Sequence, residues 1–248
     1  VKRDQPQRRK RLFYGWYVVA GAFFANWMGG GLGVPTFGLF FKPMSSELGW
    51  TRAVTTIPLV VRNGLSQLIG PIVGPLVDRY GPRDLMTVGA LIAGVGTILM
   101  SQTNSVWQFF LFWSVIGAIG NAGLSGLVTN TTVAKWFVRQ RGRATGIANT
   151  GINVGEGVMT PLIHLLITSL GWRRTWMIAG LIPWLVIAPT SFLLMRRAPE
   201  DMGLRPDGDP GQEEVGVPSG SASPGNAVEE QSWTAREAFR MPVLWLLV

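Results

Sequence analysis

The chain has 248 residues, 15% of them charged and 47% apolar, with 32 Gly, 11 Trp and a formal net charge of +8. A soluble domain carries about a quarter charged residues, so this composition, rich in the glycine and tryptophan of packed spanning helices and their interfaces, indicates a membrane protein. The absence of cysteine excludes a disulfide scaffold and a thiolate metal site. The excess Lys and Arg are interleaved with apolar segments rather than gathered on a soluble face, which argues against nucleic acid as a partner.

About 20 apolar residues cross the roughly 30 Å hydrocarbon core of a bilayer, and six such spans are expected in chain order. No charge occurs between Arg11 and Lys42, which is the first span. The second runs from about Arg52 to Val77. Leu85 to Ala134 is uncharged throughout and divides at Thr103-Asn104-Ser105 into a third and a fourth. The fifth runs from about Ala144 to Leu170 and the sixth from about Thr175 to Met195. Prolines inside these spans (Pro35, Pro58, Pro71, Pro161, Pro183) are tolerable where neighbouring helices satisfy the freed backbone groups. Gly29-Gly30-Gly31 lies inside the first span and reads as helix-packing glycine, not as a phosphate loop. The first apolar run exceeds the 7–15 residues of a signal-peptide core, so it reads as retained.

The resulting organisation is a basic N-terminus (1–11), a transmembrane bundle (12–195), a disordered Gly/Pro/Ser-rich acidic linker (196–240) and the start of a truncated seventh apolar segment (241–248). The linker composition cannot bury a core. Seventeen Lys and Arg fall on one side of the six spans and four on the other. By the positive-inside rule the N-terminus is then in the cytoplasm of a cell (plasma or inner) membrane. Trp16, Tyr17 and Trp136 are expected at the inner interface, and Trp50, Trp107, Trp172 and Trp176 at the outer one.

Between the second and third spans the chain reads GPLVDRYGPR, Gly74 to Arg83. Gly74 leaves room for close helix approach, and Gly81-Pro82 makes a sharp reversal, since glycine accepts positive φ while proline fixes its own. Asp78 is unfavourable at a helix C-terminus unless compensated. Arg79, Arg83 and the N-terminus of another helix are the candidates. This G-x-x-x-D-R-x-G-x-R pattern resembles the signature of the major facilitator superfamily, and the resemblance implies a gating turn of Gly74, Asp78, Arg79, Gly81 and Arg83 that latches two halves of a transporter together.

Tyr14-Gly15-Trp16-Tyr17-Val18-Val19, Phe37-Gly38-Leu39-Phe40-Phe41 and Leu48-Gly49-Trp50-Thr51-Arg52 resemble the opening of monocarboxylate transporters and oxalate/formate exchangers. Trp136 to Ala148 is similar to that group's fifth-helix signature. The fold implied is all-α: a six-helix N-terminal bundle of two inverted three-helix repeats, with a C-terminal six-helix half missing. The function implied is secondary transport of a small organic anion by alternating access, with a co-transported proton as a possible partner. The other reading is a truncated or non-transporting membrane subunit that binds or scaffolds.

An ionised group within hydrocarbon is costly unless paired or wetted. Arg62 lies ten residues past Arg52, roughly 15 Å deep, and Glu156 about twelve residues into its helix from the opposite side, roughly 18 Å deep. Arg62 either binds an anionic substrate or neutralises Glu156 as a structural pair. Asn149, Asn153, Glu156 and Thr160 share one helix face. Asn26 and Asn121, near mid-span, either join the same cavity or act as interhelical glue. His164, the only histidine, is expected at an interface. No H-E-x-x-H helix, metal-ligand cluster or nucleophile-base pair is present, so neither an enzyme nor a bound cofactor or metal is expected. Single cysteines replacing Ser105 and Gly220 should differ in labelling by an impermeant thiol reagent added to intact cells, with Ser105→Cys labelled and Gly220→Cys protected. Labelling of Gly220→Cys from outside would reverse the orientation.

Overall fold

The structure is a computed structural model that describes residues 13–208. The basic N-terminus, the linker from residue 209 and the seventh apolar segment lie outside the described residues. Among the described residues all regular structure is helical: α1 (Gly15–Gly31), α2 (Val34–Leu48), α3 (Arg52–Met100), α4 (Val106–Phe109), a π-helical turn (Phe110–Ile116), α5 (Gly117–Gly123), α6 (Gly126–Trp136), α7 (Arg141–Leu170), α8 (Trp172–Ile182), a second π-helical turn (Pro183–Ile187), α9 (Ala188–Leu194) and two short 3-10 turns (Glu200–Met202 and Pro206–Gly208). Four helical stretches are long and apolar enough to cross a membrane: Gly15–Leu48, Thr56–Met100, Val106–Trp136 and Trp172–Leu194. The 30-residue α7, with its polar face, is not among them.

At Gly81 the backbone has φ 82° and ψ 162°, so α3 is two arms, 52–80 and 82–100, meeting at the expected reversal. This is a region that glycine alone enters without strain. Gly171, between α7 and α8, takes nearly the same conformation at φ 81° and ψ 162°. Pro71 and Pro161 precede these two glycines by the same number of residues, and Arg83 and Arg173 follow them by the same number.

The first span is not the single rod expected from its uncharged length. It breaks at Leu32-Gly33, where Gly33 is extended and α2 restarts with Pro35 in its first turn. Glycine lowers the cost of leaving the helix, and proline suits the first turn of the next one. The fourth span breaks likewise at Leu124-Ser125, between α5 and α6.

Glycines set the helix contacts. A Cβ on Gly151 would collide with the backbone of Phe23, one on Gly155 with that of Trp27, and one on Gly30 with that of Ile152, so α1 and α7 touch main chain to main chain. A Cβ on Gly89 would stand 3.0 Å from Gly123 Cα, which joins α3 to α5 in the same way. Gly74 does not fit this pattern. A Cβ there would meet nothing within 4 Å, because that face of the arm 52–80 has no neighbour in this bundle.

The buried apolar side chains gather into two clusters, one including Val18, Trp136 and Met195 and the other Phe40, Trp113 and Trp176. Trp136 and Trp176 are therefore core residues, at 0% and 1% exposure, and not the interfacial anchors expected of them. Trp136 instead donates its indole N–H to Arg196 O at 3.3 Å. Trp107 is 80% exposed.

At the end of the bundle carrying Glu47, that carboxylate accepts from Trp172 Nε1 at 2.6 Å and Arg173 Nε at 3.2 Å. Arg173 also donates to Ser101 O (2.9 Å), Thr103 O (3.1 Å) and Asn104 Oδ1 (2.9 Å). One guanidinium thus ties α2, the 101–105 turn and α8 together.

At the Asp78 end, residues 196–208 do not begin a structureless linker but fold back over the start of α7. Asp207, at φ 60°, accepts from the backbone N–H groups of Val138 (3.0 Å), Arg139 (2.7 Å) and Gln140 (3.3 Å). The three donors are the N-cap residue Gln140 and the two residues before it, so the carboxylate holds the segment that leads into α7. Partial desolvation opposes ionisation of Asp207, but these three donors and the nearby Arg139 charge outweigh it and hold its carboxyl below the usual value of 3.8. The folded state then binds fewer protons than the unfolded one in that interval, so the stabilisation is complete above about pH 4 and is lost as pH falls through the folded value. Asp207→Asn, which keeps a residue tolerant of positive φ, should lower the thermal unfolding midpoint in detergent at pH 7 and flatten its fall below pH 4. An unchanged acid profile would place the stabilisation elsewhere.

Candidate functional site

The two helix breaks border one cavity of about 410 Å³, whose wall includes Asn26, Gly30, Gly33, Arg62, Asn121, Ser125 and Glu156. A smaller recess of about 40 Å³ continues from it, lined by Met28, Arg62, Trp113, Gly117 and Asn121 among others. Arg62 therefore stands between the two. Each break carries a helix C-terminus and a helix N-terminus of opposite partial charge, so the dipole ends largely offset each other.

Arg62 and Glu156 share the cavity, as their depths in the sequence predict. Among the described residues, however, no ion pair joins them, and neither has another carboxylate or base within pairing distance. Arg62 instead places Cζ 4.2 Å from the centre of the Trp113 ring. Trp113 was not singled out in the sequence, where an aromatic residue in an uncharged run carries no distinguishing signal.

The polar candidates divide. Asn26, 4% exposed, donates through Nδ2 to Ala148 O (3.0 Å) and Asn149 Oδ1 (3.1 Å), and its Oδ1 accepts from Thr129 Oγ1 (3.2 Å). It ties α1 to α6 and α7 while edging the cavity. Asn149 acts as its partner and does not line the cavity, and Asn153 is exposed away from it. Asn121 lines both spaces. Asn63, Ser66 and Ser125 also face the cavity, without having been foreseen. His164 is exposed. Among the described residues no cluster of three or more His, Asp or Glu could hold a metal.

The turn after the arm 52–80 compensates Asp78 differently from expectation. Lys135 Nζ, at the end of α6, lies 2.9 Å from Asp78 Oδ1. Arg79 stacks over Tyr80 at 5.4 Å and Arg83 over Phe192 at 3.7 Å. Both charged groups of the Lys135–Asp78 pair are substantially exposed, so its contribution to stability is about 0–1 kcal/mol. Its effect is to link two helices at one surface.

Residues 16–248 match the sequence pattern of the Major Facilitator Superfamily. The chain belongs to this superfamily. Its relatives include monocarboxylate transporters. Monocarboxylate transporter 1 of Bos taurus is 33% identical over 176 residues, covering 67% of this chain and 33% of the relative. Monocarboxylate transporter 14 of Homo sapiens is 25% identical over 240 residues, 93% of this chain and 46% of the relative. Monocarboxylate transporter 2 of Mesocricetus auratus is 33% identical over 177 residues, 67% and 34%. The chain thus spans between a third and a half of the length of these curated relatives.

Because buried Asn26 makes three interhelical hydrogen bonds, Asn26→Ala leaves Ala148 O, Asn149 and Thr129 without it at the α1–α6–α7 junction. The loss should be about 1–3 kcal/mol, read as a lower thermal unfolding midpoint of the purified protein. A midpoint equal to wild type would remove Asn26 from the structural role.

Proposed function

We propose that this chain forms the N-terminal half of a secondary active transporter that moves a small organic anion, such as a monocarboxylate, by alternating access. Its six spans, numbered as the arms 15–48, 52–80, 82–100, 106–136, 141–170 and 172–194, form two inverted three-helix repeats with the N-terminus in the cytoplasm. The matched glycine reversals at Gly81 and Gly171 and the matched breaks in the first and fourth spans support that symmetry. The cavity at the breaks is open, and a second six-helix half supplies its other wall, as alternating access about a midplane site requires. The Asp78–Lys135 surface is the gating turn against that half.

The observation that carries this reading is Arg62, a cation within a spanning arm that has no carboxylate partner among the described residues and faces the open cavity. A cation retained at that depth is functional by default. The anion is its partner when bound. Glu156, across the same cavity, is the group that takes up and releases the co-transported proton.

In the complete transporter, Arg62→Gln should abolish carboxylate binding while leaving the unfolding stability of the ligand-free protein within about 1 kcal/mol of wild type. Were the two residues a structural pair, each single neutralisation would instead destabilise by roughly 3–5 kcal/mol and Arg62→Gln with Glu156→Gln would recover. Recovery of both stability and uptake in the double variant would remove both residues from transport.

A further inference from the structure

We propose that Trp113 is a positioning residue of the anion site: its indole face holds the Arg62 guanidinium so that the cavity is offered a planar fork suited to a carboxylate. This rests on the reading of Arg62 as the anion-binding group.

Arginine is long and rotamer-rich, and an unpaired one projecting into water samples many orientations. Here its Cζ stands 4.2 Å from the ring centre of Trp113, which covers one side of the guanidinium and leaves the ligand to approach from the cavity. Trp113 is itself fixed. It is 4% exposed, stacked on Phe37 at 4.5 Å with an interplanar angle of 28°, and edge-on to Trp176 at 5.6 Å.

The π-helical turn Phe110–Ile116 has Trp113 at its middle. Such a turn adds about one residue to the helix, which rotates the side chains on either side by about 100° relative to a regular helix. Without it Trp113 and Asn121 would not face the same recess. The adjacent Ser114 hydroxyl donates to Pro58 O at 2.8 Å, one turn before Arg62 on the arm that carries it. The two helices are thereby registered at the point where the stack forms. Gly117, where a Cβ would stand 3.9 Å from Arg62 Cζ, keeps the other flank at ordinary contact distance.

The indole also stands where its own N–H finds no acceptor among the described residues. Phenylalanine would keep a ring in the aromatic column without leaving that donor unpaired, at the cost of a smaller packed volume. What tryptophan adds is the more electron-rich face for a cation. A core role and a positioning role therefore separate in Trp113→Phe, which keeps an aromatic ring in the core but weakens the hold on Arg62. A guanidinium confined in this way grips a planar oxyanion through two parallel N–H···O bonds, an advantage that a spherical anion cannot use.

The test uses the complete purified transporter, with pyruvate and formate as probe carboxylates, chloride as the spherical control, and thermal unfolding alongside calorimetric titration. Trp113→Phe should keep a cooperative unfolding transition, with a midpoint lowered no more than the smaller ring requires, yet weaken carboxylate binding about threefold, and Trp113→Leu should weaken it about tenfold, with chloride unaffected. In an Arg62→Gln background the same Trp113 changes should have no further effect. If Trp113→Phe and Trp113→Leu bind both carboxylates like wild type while Arg62→Gln does not, the positioning role is wrong and the anion site stands. If the Trp113 effect persists without Arg62, Trp113 acts through the fold and the proposal also fails. Wild-type binding by Arg62→Gln, or no binding of either carboxylate by the unaltered protein at millimolar concentration, overturns the anion reading itself and this inference with it.

Discussion

The rest of the structure depends on one constraint: within hydrocarbon a backbone N–H or C=O has no water to turn to, so a helix cannot stop there unless it borders protein or a wet cavity. Two helices in this bundle do stop, at Leu32-Gly33 and at Leu124-Ser125. Both breaks edge the same space, and so do Arg62 and Glu156. The cavity is therefore a structural requirement before it is a functional one. Water in it can serve the freed backbone groups and solvate two charges that the described residues leave unpaired.

Holding such a space open demands stiff walls, and lipid supplies no hydrophobic force to press helices together. Close backbone approach takes its place. The α1–α7 contact at Gly30, Gly151 and Gly155 and the α3–α5 contact at Gly89 and Gly123 bring main chains near enough for dispersion to act over long seams. Polar ties then fix the ends: Arg173 gathers three segments at one, and Asp207 with Lys135 fastens the other. The broken helices are thus braced on both sides of the break.

Much of this was legible in the sequence where a residue had a single physical answer. Gly81-Pro82 could only be a reversal, and depth arithmetic alone brought Arg62 and Glu156 to one level. The helix breaks were missed because they change no charge and little hydropathy, although Gly33-Val34-Pro35 and the glycines from Gly123 to Gly126 were their signal. Lys135 as the partner of Asp78 is a contact between distant segments, which local spacing cannot reveal. Trp113 depends on the extra residue of a π-helical turn, and no pattern in an uncharged apolar run announces one. Trp136 and Trp176 went astray through a rule for average tryptophans near a membrane surface, overridden here by aromatic packing. The contact of residues 196–208 with the start of α7 is invisible in a composition that is that of a loop, because it rests on one carboxylate, Asp207.

Gly74 lies on an open face, with nothing for an added methyl group to strike. Within this bundle the position is sterically silent, and alanine there would even favour the helix slightly over glycine. Any intolerance of a side chain at Gly74 is consequently a measurement of something outside the bundle, and its dependence on side-chain size reports how near that second surface comes. The bare face of the arm 52–80 at Gly74 thus serves as a ruler, calibrated by a site whose own neighbours contribute nothing.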